Sequence, residues 1–211
     1  MPNNQTSRAR LPRGPIAALA FLAIVLTVGL LASNAAGRTS GAPQADDSQS
    51  EHAATTLFLV RHAEKGSDDP QDPSLTPDGR RRAIELARVL SEVGVTHLFT
   101  SDLKRTRETL APLVRVTGLV VKTYDVRNPG DILSKLRALP AGSVAVVSGH
   151  SNTTPQLYGT LSGATAHSLE ETPYGVVIPE DAYDRLYCLT LLRGEAGEPV
   201  CISSFELRYG E

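Results

Sequence analysis

Short apolar runs rich in β-branched residues alternate with helical segments along most of the chain. Four runs are predicted strands, at 55–62, 95–101, 119–125 and 142–150. Alternation of this kind requires crossover helices, which gives a largely parallel sheet with helices on both faces. Two further runs, 184–192 and 200–210, flank a Gly-containing turn and predict a C-terminal β-hairpin. The predicted fold is therefore α/β, a three-layer sandwich.

The helix after the first strand has clear start and stop signals. Thr76 is a candidate N-cap, Pro77 suits the first helical position, and Gly94 suits the end. Four apolar residues repeat at helical spacing and predict one buried face: Ala83, Leu86, Ala87 and Leu90. We expect the three consecutive arginines 80–82 to form its solvated face.

The first part of the chain has the composition of a targeting segment. Residues 16–32 are an uncharged, mostly apolar run, and the arginines at 8, 10 and 13 precede it. This pattern predicts that residues 1–36 are an export signal or a membrane anchor, and both alternatives stay open. In either case the rest of the chain is expected outside the cytoplasm: secreted, periplasmic or held at the membrane by this segment. Residues 37–53 form a flexible linker by composition, and residues 54–211 the folded domain.

Charge argues against a nucleic-acid partner. Beyond residue 36 the chain has 18 basic and 23 acidic side chains, a net charge of −5. A nucleic-acid binder needs a basic footprint, which this balance does not supply. The basic residues of the whole chain are mainly arginines, 17 against 4 lysines. Arginine is the better bidentate ligand for a phosphate or carboxylate group.

Several polar side chains fall where predicted strands end. Arg61 and His62 end the first strand, His150 ends the fourth, and Arg105 lies in a helix that Ser101 or Asp102 can cap. Ligands of open α/β sheets bind at the carboxyl ends of strands, and a helix N-terminus favours an anion.

Two guanidinium groups and two imidazoles at one sheet edge suit a phosphoryl group. A neutral imidazole can attack phosphorus to give a phosphohistidine, which water then hydrolyses. The arginines would stabilise the charge of the transition state, so neither a metal nor another cofactor is expected.

Four motifs resemble the histidine phosphatase superfamily, also called phosphoglycerate mutase-like. They are LVRHAEK (59–65), SLTPDGRRRAIELA (74–87), TSDLKRTRETL (100–110) and VVSGHSNTTP (147–155). The resemblance implies that His62 is the nucleophile, that Arg61 and Arg105 bind phosphate, and that His150 is the second pocket histidine. It also implies an α/β sandwich. The chain has no room for a large cap over the site. A compact domain without a cap resembles the small branch of the family, which contains protein phosphohistidine phosphatases.

The proton donor departs from the family pattern. The mutase branch supplies a Glu after the second arginine motif, where this chain reads VKTYDVRNPGD, and the acid-phosphatase branch places an acid where Ser151 stands. Asp125 ends the third predicted strand and is our candidate donor. Asp131 lies in the first turn of a helix, where the helix dipole explains its charge. Glu64 is close to His62 in sequence and is a further candidate, unless its side chain faces the loop.

No metal site is expected. The sequence His62-Ala63-Glu64 imitates a zinc-deaminase motif, but its cysteine pair is missing. The acids Asp68, Asp69 and Asp72 lack calcium-loop spacing. We interpret them as a solvated loop, or as a lid that disfavours highly anionic substrates.

These observations predict a metal-independent phosphohydrolase that acts through a phosphohistidine intermediate on an unidentified phosphate ester. Its partner would be a phosphorylated small molecule or a phosphoprotein. A phosphomutase is one alternative, which export and the missing cap disfavour. A non-catalytic phosphate-binding or interaction module is another, which the missing Glu favours.

Two cysteines, Cys188 and Cys201, lie on opposite arms of the predicted hairpin. In an exported chain they suggest a disulfide. A two-residue turn at 194–195 would place them opposite each other. A wider turn near 196–197 would separate them by about four residues, too far to bridge.

Overall fold

The structure, a computed structural model, describes residues 53–194 and 198–210. The predicted targeting segment 1–36 and all but the last residue of the predicted linker lie outside the described residues. The strands are β1 (Thr55–Arg61), β2 (His97–Ser101), β3 (Val121–Tyr124), β4 (Val144–Gly149), β5 (Glu170–Thr172), β6 (Gly175–Val177), β7 (Arg185–Arg193) and β8 (Pro199–Arg208). The helices are α1 (Pro77–Leu90), α2 (Lys104–Thr117), α3 (Pro129–Arg137) and α4 (Thr153–Ser162).

Six strands form one mixed sheet in the order β3-β2-β4-β1-β7-β8. The first four are parallel to one another, whereas β7 runs antiparallel to both of its neighbours. The prediction of a largely parallel α/β sheet with a C-terminal hairpin is confirmed. Because β1 and β4 are adjacent in the centre, the residues after them meet at one edge.

Each face of the sheet has its own apolar core. Alternate strand residues supply the two cores, as Leu59 and Val60 of β1 show by belonging to different ones. One core includes Ile132 of α3 and Leu157 of α4, and the other includes Leu86 of α1 and residues of α2. Helices therefore cover both faces, as the alternation of elements predicted.

Helix α1 begins as the sequence predicted, but it ends at Leu90 with Ser91 as its C-cap, earlier than the predicted Gly94. Its packing agrees with the prediction with one exception. The Thr76 side chain accepts a hydrogen bond from the Gly79 N–H, and the four predicted apolar residues are buried. Arg82, predicted to be solvated, is only 16% exposed. It donates to the carboxylate of Glu64 and to the carbonyls of Tyr209 and Gly210. Burial of this arginine is possible because all these acceptors face it.

The short hairpin of β5 and β6 was not predicted. Its two strands have three residues each and are mostly exposed, so they carry no buried alternation. It lies in the connection from α4 to β7. Across the described ranges, no helix has both the length and the apolar character to cross a membrane.

Of the two alternatives for the cysteines, the structure has the one without a disulfide. Cys188 pairs in register with Phe205, and Cys201 with Leu191. Both thiols are free, and Cys188 is buried. The hairpin turn is the wide one, since the Gly194 N–H donates to the carbonyl of Glu198. The wide turn and a bulge between Thr190 and Leu191 set the register that separates the cysteines.

Candidate active site

The two histidines meet at the carboxyl ends of β1 and β4. Arg61 pairs with Gly149 as the last step of the ladder, and the His62 N–H donates to the Gly149 carbonyl at 2.9 Å. The ring centroids of His62 and His150 are 5.5 Å apart, with an interplanar angle of 64°. Two side chains separated by 88 positions thus share one site because their strands are neighbours.

His62 is held in one tautomer. Its Nδ1 lies 2.8 Å from the carbonyl of Ala63, and a carbonyl only accepts, so Nδ1 carries the proton. Nε2 therefore has the lone pair in the neutral ring. Burial is the main cause that lowers the pKa of His62 to about 3; the charges of Arg61, His150 and Arg105 act in the same direction, and the Ala63 hydrogen bond opposes them. The ring is neutral near pH 7.

His150 belongs to a chain of hydroxyl groups. Its Nε2 lies 3.0 Å from the Ser101 Oγ, which lies 2.8 Å from the Thr106 Oγ1. The Thr106 hydroxyl donates to the carbonyls of Ser101 and Leu103, so Ser101 donates to Thr106 and His150 donates from Nε2. Burial, followed by the charges of Arg105, Arg61 and Lys65, lowers the pKa of His150 to about 4.

The start of α2 differs from the prediction. The N-cap is Leu103, and neither Ser101 nor Asp102 caps the helix. Instead, the Lys104 N–H donates to the carboxylate of Asp72 at 2.8 Å. Asp72 belongs to the loop before α1, so the cap comes from a distant part of the chain. Its carboxylate occupies the N-terminus of α2, where the sequence predicted a bound anion. The loop is therefore not simply solvated.

Arg105, in the first turn of α2, keeps unpaired donors. Its Nη1 lies 3.8 Å from Asp72, too far for a hydrogen bond. Both Nε and Nη1 are buried without a hydrogen-bond partner among the described residues. Buried N–H donors are nearly always paired, so these atoms are suited to an anionic oxygen.

Most N–H donors of the Arg61 guanidinium form hydrogen bonds within the protein. Its Nη1 donates to the carbonyls of Pro179, Glu180 and Ala182 at 2.7, 3.2 and 3.4 Å. Its Nη2 donates to the carboxylate of Glu180 at 2.9 Å. The Nε atom is buried and has no partner in the part of the chain that the structure describes. The predicted phosphate contact of Arg61 is thus open only at this donor and at the remaining hydrogen of Nη2.

The loop that holds Arg61 contributes site residues that the sequence did not indicate. The Tyr183 ring lies 4.2 Å below the Arg61 guanidinium, a cation–π contact, and its centroid is 6.1 Å from that of His62. Glu180 and Lys65 form an ion pair at 2.9 Å on the rim. Glu180 and Tyr183 lie in the loop after β6, a segment without periodicity, so no sequence signal was present to find these two residues.

The candidate proton donors lie outside the histidine pair. Asp125 directly follows β3, at the predicted edge, and its exposed carboxylate accepts from the Arg127 N–H. Asp131 accepts from the Asp125 N–H and pairs with Lys135. Glu64 points toward α1, where Arg82 binds it at 2.8 Å. Among the described residues, no hydrogen bond or ion pair joins Asp125 to His62 or His150.

Taken together, the site has a neutral histidine with a free Nε2, a second histidine 5.5 Å away, and unpaired guanidinium donors. Such a set can bind a tetrahedral anion and attack it. Within residues 53–194 and 198–210, no three His, Cys, Asp or Glu side chains are grouped so that they could hold a metal ion.

Comparison with known proteins connects this geometry to one family. Residues 57–126 match the family model of the histidine phosphatase superfamily (branch 1). Probable phosphoglycerate mutases GpmB of Shigella dysenteriae and Escherichia coli O1:K1 are 35% identical over 68 residues, covering 29% of this chain and 32% of each relative. The chain thus spans about a third of the length of the curated relatives it matches.

Solved structures support the fold. Mycobacterial hydrolase 2 gives a TM-score of 0.53 at 16% identity, over 70% of this chain and 88% of that chain. The protein histidine phosphatase SixA complexed with tungstate gives 0.50 at 18% identity, over 71% and 96%. At these identities the likeness concerns the arrangement of strands and helices.

Proposed function

We propose, from the match of residues 57–126 to the family model, that the chain is a member of the histidine phosphatase superfamily and a metal-independent phosphohydrolase acting through a phosphohistidine intermediate. The observation that carries the proposal is the pairing of the free Nε2 of His62 with buried, unpartnered N–H donors of Arg61 and Arg105. A nucleophile and donors for the equatorial oxygens are the two parts that phosphoryl transfer needs.

In the first step, the His62 Nε2 lone pair forms a bond to phosphorus while the bond to the leaving oxygen breaks. The departing oxygen takes the bonding electrons and then a proton. Positive charge develops on the imidazole, and the Nδ1–H bond to the Ala63 carbonyl stabilises it. In the second step, water attacks phosphorus, and the electrons of the P–N bond return to Nε2.

The arginines bind the phosphoryl oxygens, and His150 joins them when its ring is protonated, since the Nε2–H already donates to Ser101. The charged guanidinium groups offset the negative charge that the equatorial oxygens gain, at donors already fixed in the protein. A bound dianion also favours protonation of His150, whose pKa is lowered by burial and by the cations around it. The substrate is a phosphorylated small molecule or a phosphoprotein, and the exposed rim at Lys65 and Glu180 supports access by a bulky group.

Turnover of 4-nitrophenyl phosphate in excess EDTA tests the proposal. Since no step uses a metal, we expect the same rate with and without EDTA, and an acid-labile phosphoprotein on rapid quenching. Loss of activity in EDTA that a divalent cation restores would contradict it. Phosphate binding with no turnover of any ester would favour the interaction module, and transfer to an added acceptor in place of water would favour the mutase.

We propose Asp125 as the proton donor for substrates with an extended leaving group. Asp125 lines a surface groove of about 570 Å³ with Asp102 and Leu103, which follow the His150 partner Ser101. Strand spacing places β3 about 10 Å from β4, so the leaving group must extend along this groove to reach the carboxylate.

Asp125→Asn should slow alkyl phosphate hydrolysis about 10²-fold, and 4-nitrophenyl phosphate much less, because nitrophenolate leaves without a proton. Steady-state kinetics on both esters measure the difference, and Asp131→Asn, on the same groove, is the matched control. Equal effects on the two esters would remove Asp125 from the role.

We propose that the protein is exported, as a secreted, periplasmic or membrane-anchored enzyme. The support is the uncharged run 16–32 behind three arginines. A reporter enzyme active only outside the cytoplasm, fused after residue 53, should be active, and should lose activity when residues 1–36 are deleted. An active fusion without those residues would contradict export by this segment.

A further inference from the structure

A carboxylate of the protein bridges two cations on the rim of the site. Glu180 places Oε2 at 2.9 Å from the Arg61 Nη2 and Oε1 at 2.9 Å from the Lys65 Nζ. The three side chains differ in exposure: 2% for Arg61, 39% for Lys65 and 69% for Glu180. The exposed carboxylate of Glu180 thus lies between two cations, the buried Arg61 and the half-exposed Lys65.

The cationic side of this contact is fixed. Three loop carbonyls accept from the Arg61 Nη1, and the Tyr183 ring packs against the guanidinium. The backbone of Lys65 forms a β-bridge with Leu75, which fixes the point from which the side chain extends. The Glu180 side chain, by contrast, has solvent on most of its surface, and exposed ion pairs contribute little stability. An external anion can therefore replace the carboxylate at small cost.

Both cations also act on the phosphoryl site. Arg61 is the neighbour of His62 in the chain, and the positive charges of Arg61 and Lys65 contribute to the lowered pKa of His150. Partial burial raises the pKa of Glu180, but Lys65 and Arg61 outweigh that effect and lower it. Glu180 is therefore ionised near pH 7, and it competes for the same cations as a bound anion.

We propose that Arg61 and Lys65 form a second anion subsite beside the phosphoryl site, and that Glu180 occupies it in the free protein. Its ligand is a phosphoryl compound that carries a second anionic group, a phosphoryl or a carboxylate, within a few bonds of the first. The inference rests on the proposed function in that the first phosphoryl group is assigned to the histidine pair. Glu180 then determines specificity, because a substrate with one anionic group leaves it in place and one with two displaces it.

Binding of non-hydrolysable phosphonates tests the subsite without turnover. The probes are methylenediphosphonate, whose second anionic group is a phosphonate, phosphonoacetate, whose second anionic group is a carboxylate, and ethylphosphonate, which has no second anionic group. Calorimetry on the full chain gives each dissociation constant. Lys65→Met should weaken the two doubly anionic probes about tenfold, the value of one charge-assisted contact, and ethylphosphonate by less than about threefold. Glu180→Gln should tighten the doubly anionic probes about fivefold, because the internal competitor loses its charge.

Lys122→Met is the matched control, since it removes the same charge from an exposed position on β3. It should leave all three affinities unchanged. Equal weakening of all probes by Lys65→Met, or an unchanged ratio in Glu180→Gln, would overturn the subsite. A response by only one doubly anionic probe would assign the second group as phosphoryl or as carboxylate. If the doubly anionic probes respond to the two variants as predicted but the protein hydrolyses no ester, the proposed function is overturned and the subsite stands. If the protein hydrolyses esters but the probes do not respond in this way, the subsite is overturned and the proposed function stands.

Discussion

Replacing His62 with alanine should lower phosphatase activity by about 10⁴-fold or more, as expected when a covalent nucleophile is lost. The fold should persist, because the backbone of this segment is held independently of the imidazole. The His62 N–H donates to Gly149, and the Ala63 N–H donates to the Thr109 hydroxyl. Steady-state hydrolysis of 4-nitrophenyl phosphate and circular dichroism measure the two effects.

His97 provides the control for this variant. It begins β2, away from the carboxyl edge, and its ring stacks on Phe99. His97→Ala should keep near-normal activity. Near-normal turnover by a folded His62→Ala protein would contradict the phosphohistidine mechanism.

Arg105→Lys should reduce kcat/KM by about 10²–10³-fold, the usual effect of removing one transition-state donor. A lysine keeps the charge but cannot reproduce the planar fork, and the Nε and Nη1 donors of Arg105 are the ones without partners. Both kcat/KM values, for an aryl and an alkyl phosphate, should fall together.

Arg107 is two residues further along the same helix and is the matched comparison. Its side chain is 50% exposed and pairs with Asp102. Arg107→Ala should change kcat/KM by less than about threefold. Similar losses in the two variants would mean that the phosphoryl group is not bound by Arg105.

The core of the site could be predicted because it depends on strand ends. Arg61, His62 and His150 follow runs whose pattern indicates buried strands, and parallel strands bring such residues to one edge whatever their separation in sequence. Arg105 follows from the next strand and helix by the same rule. The start and the buried face of helix α1 could also be predicted, because the Thr76 cap and the spacing of the apolar residues are local signals in the sequence.

What the sequence did not indicate depends on contacts between distant loops. Asp72 caps α2 across an intervening helix, and Glu180 reaches Arg61 through a loop fixed by backbone carbonyls. Neither contact has a period or a spacing that a single sequence displays. The cysteine register depended on the number of residues in one turn, which the sequence left open between two lengths.

Arg82 connects the residues that follow β8 to the proposed active site. Its guanidinium joins the carbonyls of Tyr209 and Gly210 to the carboxylate of Glu64, two residues from His62. The backbone after β8 thus supports, through Arg82, the loop that carries the proposed nucleophile. A shift of the backbone at 209–210 therefore acts through Arg82 and Glu64 on the loop that follows β1.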